Sequence, residues 1–112
     1  MTRDELNAAL APLFGWEQCT DGTWVTRDSS NLVFDESSIP PDFCAIDGPW
    51  FGPMTKELVD NGWRLERRSD IYVWMNFSTA IREGFTLPIV LRHDNPDLGH
   101  CTGEAYLAKH SI

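Results

Sequence analysis

Residues 50–77 constrain the fold more than any other stretch. They read without a gap as helix, strand, turn and strand, and they hold three of the five tryptophans. Pro53 suits the first turn of a helix, where its missing N–H has no partner to lose. Met54, Leu58 and Val59 give that helix one apolar stripe. Asn61-Gly62 ends it, because glycine tolerates the left-handed backbone of a helix terminus. Trp63 to Arg67 then alternates apolar and polar, as a half-buried strand does. Ser69-Asp70 supplies a two-residue turn. In the next strand Ile71, Val73, Met75 and Phe77 share one face, and Tyr72, Trp74 and Asn76 share the other. Both faces carry large apolar groups, which predicts a central strand covered on both sides.

Before this block, Thr2 and Glu5 form a capping-box pattern, and Leu6, Leu10, Leu13 and Phe14 mark an amphipathic helix that Pro12 disturbs and Gly15 closes. Thr23–Arg27 and Leu32–Phe34 predict a hairpin, with a turn at residues 28–31. Residues 35–52 are expected to be irregular, because Pro40, Pro41 and Pro49 interrupt them. That loop nevertheless carries Ile39, Phe43, Ile46, Trp50 and Phe51 beside Asp35, Glu36, Asp42 and Asp47, a mixture suited to recognition. After the block, Ser78 is expected to cap a single helical turn over 79–83. Leu87–Leu91 reads as extended, with Pro88 marking a strand start or an edge, and residues 93–96 as a loop. Asp97 is the expected cap of a last helix reaching about His110, with Leu98, Cys101, Ala105 and Ala108 on one face. The expectation is therefore one α+β domain over residues 1–112, an antiparallel sheet of about four or five strands with helices packed on it.

The charge divides unevenly. The chain carries a net charge of −8. Residues 1–50 hold nine acids against Arg3 and Arg27, whereas residues 51–112 hold eight acids against seven bases. Such a field repels nucleic-acid phosphates and attracts a basic protein surface. Three widely spaced cysteines, Cys19, Cys44 and Cys101, argue against a disulfide framework and for a reducing cytoplasm. The N-terminal MTRDELN has no apolar run behind its charge, so no signal peptide is expected. No stretch approaches the roughly 18–20 apolar residues of a membrane span.

Catalytic signatures are absent: no phosphate-binding loop, dinucleotide fingerprint or nucleophile elbow occurs. His93, His100, His110 and Cys101 match no standard zinc spacing, and no metal or other cofactor is expected. His93-Asp94 is a candidate acid–base pair, and Asp42 with Asp47 a candidate carboxylate pair whose separation the sequence does not fix. Arg64, Arg67 and Arg68 cluster, with Arg64 and Arg68 on one strand face, and form a candidate anion site.

The order of features resembles the phage ABA sandwich domain proteins: an N-terminal helix ending in Gly15-Trp16, an irregular stretch containing proline and tryptophan, a helix running into Gly62-Trp63, a strand pair, and a short last helix containing Ala105 and Ala108. The resemblance implies an α/β/α sandwich with an antiparallel sheet, and it implies a phage accessory protein without a catalytic motif. Together with the acidity it leads to the expectation of a non-enzymatic inhibitor of a host defence system acting in the bacterial cytoplasm. In that role it would occupy the basic nucleic-acid-binding site of a host protein such as a CRISPR effector, with Asp35, Glu36, Asp42, Asp47, Trp50 and Phe51 as the contact residues. Direct nucleic-acid or membrane binding is not expected; self-association is left open. The alternatives are a binder that sequesters a nucleotide signal through the arginines and aromatics, and a small hydrolase using His93 and Asp94.

Overall fold

Helix α1, Arg3–Leu10, begins at the capping box: Thr2 Oγ1 accepts the Glu5 N–H at 3.1 Å, and Glu5 Oε1 accepts the Thr2 N–H at 3.0 Å. Two orphan N–H groups of the helix start are thereby satisfied. Hydrogen bonding from Thr2, chiefly its backbone N–H, holds the Glu5 carboxyl below its usual range. Pro12 cannot continue the α-helical ladder, and the chain tightens into a 3₁₀ turn over Ala11–Phe14 before Gly15 takes a φ of 82°. The computed structural model describes residues 1–82 and 85–111, with side chains outside residues 77–82 and 85–90. The chain gathers into two units, Met1–Phe43 and Cys44–Ile112.

In the first unit, β1 (Trp16–Gln18), β2 (Trp24–Arg27) and β3 (Val33–Ser37) form an antiparallel sheet in the order β1-β2-β3. The expected hairpin is present. Sequence reading missed β1, which is only three residues long. The second strand of the hairpin also runs on through Asp35 and Glu36, where a loop was expected. Pairing with Thr26 and Val25 holds those two acids extended. Leu6, Leu10, Ala11, Trp16, Val25 and Phe43 are buried. Phe43 stacks on Phe14 with ring centroids 4.9 Å apart. Asn7, itself buried, accepts the Phe43 N–H at 3.1 Å and donates to Asp42 at 3.2 Å.

The second unit holds α2 (Phe51–Asp60), β4 (Trp63–Arg68), β5 (Ile71–Arg82), β6 (Phe85–Asn95) and α3 (Leu98–His110). Its strands form a second antiparallel sheet, ordered β4-β5-β6, so β5 is central as expected. Val73, Trp74 and Met75 are buried on alternate faces of it. Helix α3 packs on β5 and β6, and α2 packs on β4 and α3. Two side chains of α3 fix it to the sheet: Thr102 Oγ1 accepts from Trp74 Nε1 at 2.9 Å, and the Cys101 thiol reaches the Tyr72 and His93 carbonyls. Gly62, at φ 87°, and Ser69, at φ 54°, make the two turns around β4.

The architecture is therefore α+β and antiparallel, but the described strands make two three-stranded sheets, not one sheet of four or five. Three local expectations also change. Residues 78–82 are strand, not a helical turn, because they pair with residues 85–89 of β6; Glu83 and Gly84, the end of that expected turn, lie outside the described residues. Residues 93–95 are strand, held by pairing with Tyr72, Val73 and Trp74. Non-local pairing overrides weak local preference in both places. Val59, expected in the apolar stripe of α2, is 56% exposed; only Met54 and Leu58, one turn apart, are buried there.

Candidate functional site

The β2–β3 hairpin is built by one aspartate. Asp28 Oδ1 accepts the N–H groups of Ser30 at 2.9 Å and Leu32 at 3.0 Å, while its own N–H donates to the Leu32 carbonyl. Asn31 takes the left-handed φ of 64° that the turn requires, a conformation asparagine tolerates better than most residues. Arg27 then pairs with Glu17 and donates to the Asn31 carbonyl, tying the turn back to β1.

Beyond the turn the register slips by one residue. Arg27 pairs with Val33 and Thr26 with Asp35, which leaves Phe34 as the extra residue of a β-bulge. A bulge re-aims the side chain it carries. Phe34 is 79% exposed, and Leu32, Val33 and Ile39 are 65%, 50% and 69% exposed. Asp28, Asp35 and Glu36 beside them are exposed as well. Large apolar groups concentrated on one short edge, rimmed by charge, are the mark of a binding surface and not of ordinary scatter.

The backbone of that edge is partly closed. The Cys19 N–H donates to the Thr23 carbonyl at 2.8 Å, and two residues on Glu17 faces Val25. The alternation of an antiparallel ladder therefore turns the Val25 backbone toward β1 and that of Glu36, its partner on β3, outward. The outward Glu36 N–H is taken by Asp35 Oδ1 at 2.9 Å.

The six acidic and aromatic residues singled out in the sequence divide between the two units. Asp35 and Glu36 lie on the exposed edge, on opposite faces of β3. Asp42 is engaged with Arg3 at 3.1 Å and with Asn7, so it holds the N-terminal helix to the following loop. Asp47 is exposed in the second unit. Trp50 is the N-cap residue of α2 and accepts the Met54 N–H, and Phe51 begins the helix; both are half-buried. Leu32, Val33 and Phe34 were not read as surface residues. Their signal was present: Leu32-Val33-Phe34 followed by Asp35-Glu36 does not alternate, so no register buries all three apolar groups on one face.

The arginines do not converge. Arg64 and Arg68 lie on one sheet face and Arg67 on the other, 5.7 Å from the Tyr72 ring centre. Arg68 makes two hydrogen bonds to Glu66. His93 and Asp94 likewise point to opposite faces of β6. Asp94 pairs with Arg92 at 3.3 Å, while His93 Nδ1 lies 3.8 Å from Glu104. Glu104 also meets His100 Nε2 at 2.7 Å, an (i, i+4) pair legible in the sequence and not singled out there. At the far end of α3, Glu57 receives His110 at 2.6 Å and Lys109 at 3.2 Å. Burial would raise the Glu57 carboxyl, but these bonds outweigh it and hold it below its usual range. Both histidine groups thus tie α3 to its neighbours or to itself. Among the described residues no group of three or more His, Cys, Asp or Glu side chains could hold a metal ion. A cleft of about 390 Å³ lies beside Pro12, Gly15, Trp16, Glu17 and Arg27, where the one cation is already paired with Glu17.

Among the described residues no helix is long and apolar enough to cross a membrane. No protein-family model matches the chain, and neither a curated protein nor a solved structure matches it.

Proposed function

We propose that this chain is a non-catalytic accessory protein that works by binding the basic surface of another protein, through the β2–β3 hairpin of its first unit. The observation that carries this reading is the exposed apolar edge of Leu32, Val33, Phe34 and Ile39 set against Asp35 and Glu36. The charge supports it: residues 1–43 hold eight acids and two arginines, a net of −6. Apolar anchors supply affinity at such a surface, and the acids select the partner and speed its approach. The narrower reading, an inhibitor that occupies the nucleic-acid-binding site of a host defence complex in the bacterial cytoplasm, rests on the likeness to phage ABA sandwich proteins and on the acidity. A nucleotide sponge has less support, because the arginines face two ways and Arg68 is engaged with Glu66. A hydrolase has less support too, because His93 and Asp94 do not meet.

The test is capture of partners from a bacterial lysate on immobilised protein, eluted with rising salt. The expected result is a basic protein released by raised salt and not retained by the double variant Asp35→Lys, Glu36→Lys. Equal retention by the wild-type and double-variant proteins would sink the reading.

A further inference from the structure

We infer that the partner docks by adding an extended segment to the open edge of β3, with a pair of cationic side chains set against Asp35 and Glu36. This rests on the protein-binding reading above and specifies its mode. Among the described residues, strand β3 is an edge strand, paired on one side only, with β2. Its outward backbone groups at Glu36 are a hydrogen-bonding pair of the kind an added strand uses. In the free protein Asp35 Oδ1 covers the Glu36 N–H, which protects the edge from indiscriminate pairing. An incoming carbonyl takes over that N–H, an incoming N–H donates to the Glu36 carbonyl, and the released Asp35 carboxylate turns to a cation on the newcomer.

The side chains say what the newcomer is. Asp35 and Glu36 are consecutive on a strand, so they project to opposite faces. Two consecutive basic residues of an added strand also project to opposite faces, one for each acid. Beyond one end of that pair, β-branched and apolar residues meet Phe34, Val33 and Leu32, which are exposed along the same edge. A second copy of this chain fits poorly. It would bring two more acids to the same edge, and like charges across a strand pair are destabilising. The occupant is therefore an extended segment of a different, basic protein.

The experiment uses the full chain and a fluorescein-labelled octapeptide with Arg-Arg at its centre and alternating Thr and Val on both sides, read by fluorescence anisotropy. Two further peptides carry N-methyl groups on alternate residues, one series for each peptide edge; a fourth replaces Arg-Arg with Asp-Asp. The parent peptide is expected to bind. One N-methyl series should lose about tenfold or more, the scale of lost backbone hydrogen bonds, while the other keeps its affinity. The Asp-Asp peptide should not bind. Glu36→Pro, which removes an N–H that the β2 ladder does not use, should lose the parent peptide and keep its unfolding temperature.

Failure of the parent peptide to bind would overturn the inference. So would equal affinity of both N-methyl series with the parent, or sedimentation showing a dimer that Glu36→Pro dissociates. The lysate capture is read separately. A salt-sensitive partner retained there, with both N-methyl series binding as the parent does, leaves the protein-binding reading standing and removes only strand addition.

Discussion

At the scale of single residues, α3 depends on an absent side chain. A Cβ built on Gly99 would stand 1.9 Å from the Cys44 carbonyl oxygen and 3.0 Å from its carbon. The obstacle is backbone, so no rotamer change relieves it. Gly99→Ala is expected to cost at least about 1–3 kcal/mol, the usual range for overpacking, read as a lower urea midpoint. From the sequence, Gly99 and Gly103 appear only as residues that weaken a helix. Their burial inverts that meaning at Gly99, and nothing in the local pattern shows which backbone will lie against it. Cys101, two residues on, is buried, and burial pushes its thiol up to about 11 from 9.0. The folded state thus keeps a proton that the unfolded state loses first. The sign follows: this contribution is complete below about pH 9 and is lost as pH rises toward 11, at most about 3 kcal/mol for two pKa units. Unfolding midpoints measured across that window should fall more steeply for the wild-type protein than for Cys101→Ala. Parallel slopes would contradict it.

At the scale of elements, the helices were legible and the strands less so. Helix α1 announced itself by Thr2 and Glu5, α2 by Pro53 and Gly62, and α3 by Asp97, because a helix carries its own start and stop signals. Strands at residues 78–82 and 93–95 carried no such signal, since their reason lies in a partner strand. Recognition elements divide in the same way. Asp35 and Glu36 were picked out for charge, but Phe34 becomes a surface residue only through a bulge set by register with β2. Asp42, notable for the same charge, is paired with Arg3 and bonded to Asn7. It and Asn7 clamp the end of the first unit to α1, with Asn7 accepting the Phe43 N–H. Asn7→Ala removes two hydrogen bonds of a buried side chain and leaves the Phe43 N–H with the Pro41 carbonyl at 3.1 Å; it is expected to cost about 1–3 kcal/mol. Asp42→Ala removes a half-exposed ion pair and a part-buried hydrogen bond, and is expected to cost less, about 1 kcal/mol or under. Chemical denaturation of the two variants side by side gives the order; a larger loss from Asp42→Ala would reverse the assignment.

At the scale of the molecule, the net charge of −8 raises the question of whether acidity acts as a general field or at one place. A general field attracts a basic partner whichever acids supply it, and salt screens it beyond about 8 Å at physiological ionic strength. A docked edge depends on the acids that touch the partner. Two double variants separate these. Asp35→Lys with Glu36→Lys, and Asp47→Lys with Asp70→Lys, change the net charge by the same amount, and all four residues are exposed. If the field alone mattered, both would weaken retention of a captured basic partner equally, and both would slow its association. The geometry of β3 leads to a different expectation. Near 0.15 M salt the first variant should lose retention by roughly tenfold or more, as close charge pairs at an interface do. The second should change the association rate by about threefold or less, with dissociation unaltered, since charges outside a contact act chiefly on encounter. Association and dissociation rates on a sensor surface read the two effects separately. Equal losses would return the acidity to the role of a diffuse field and leave Phe34 and its neighbours without a reason to be exposed.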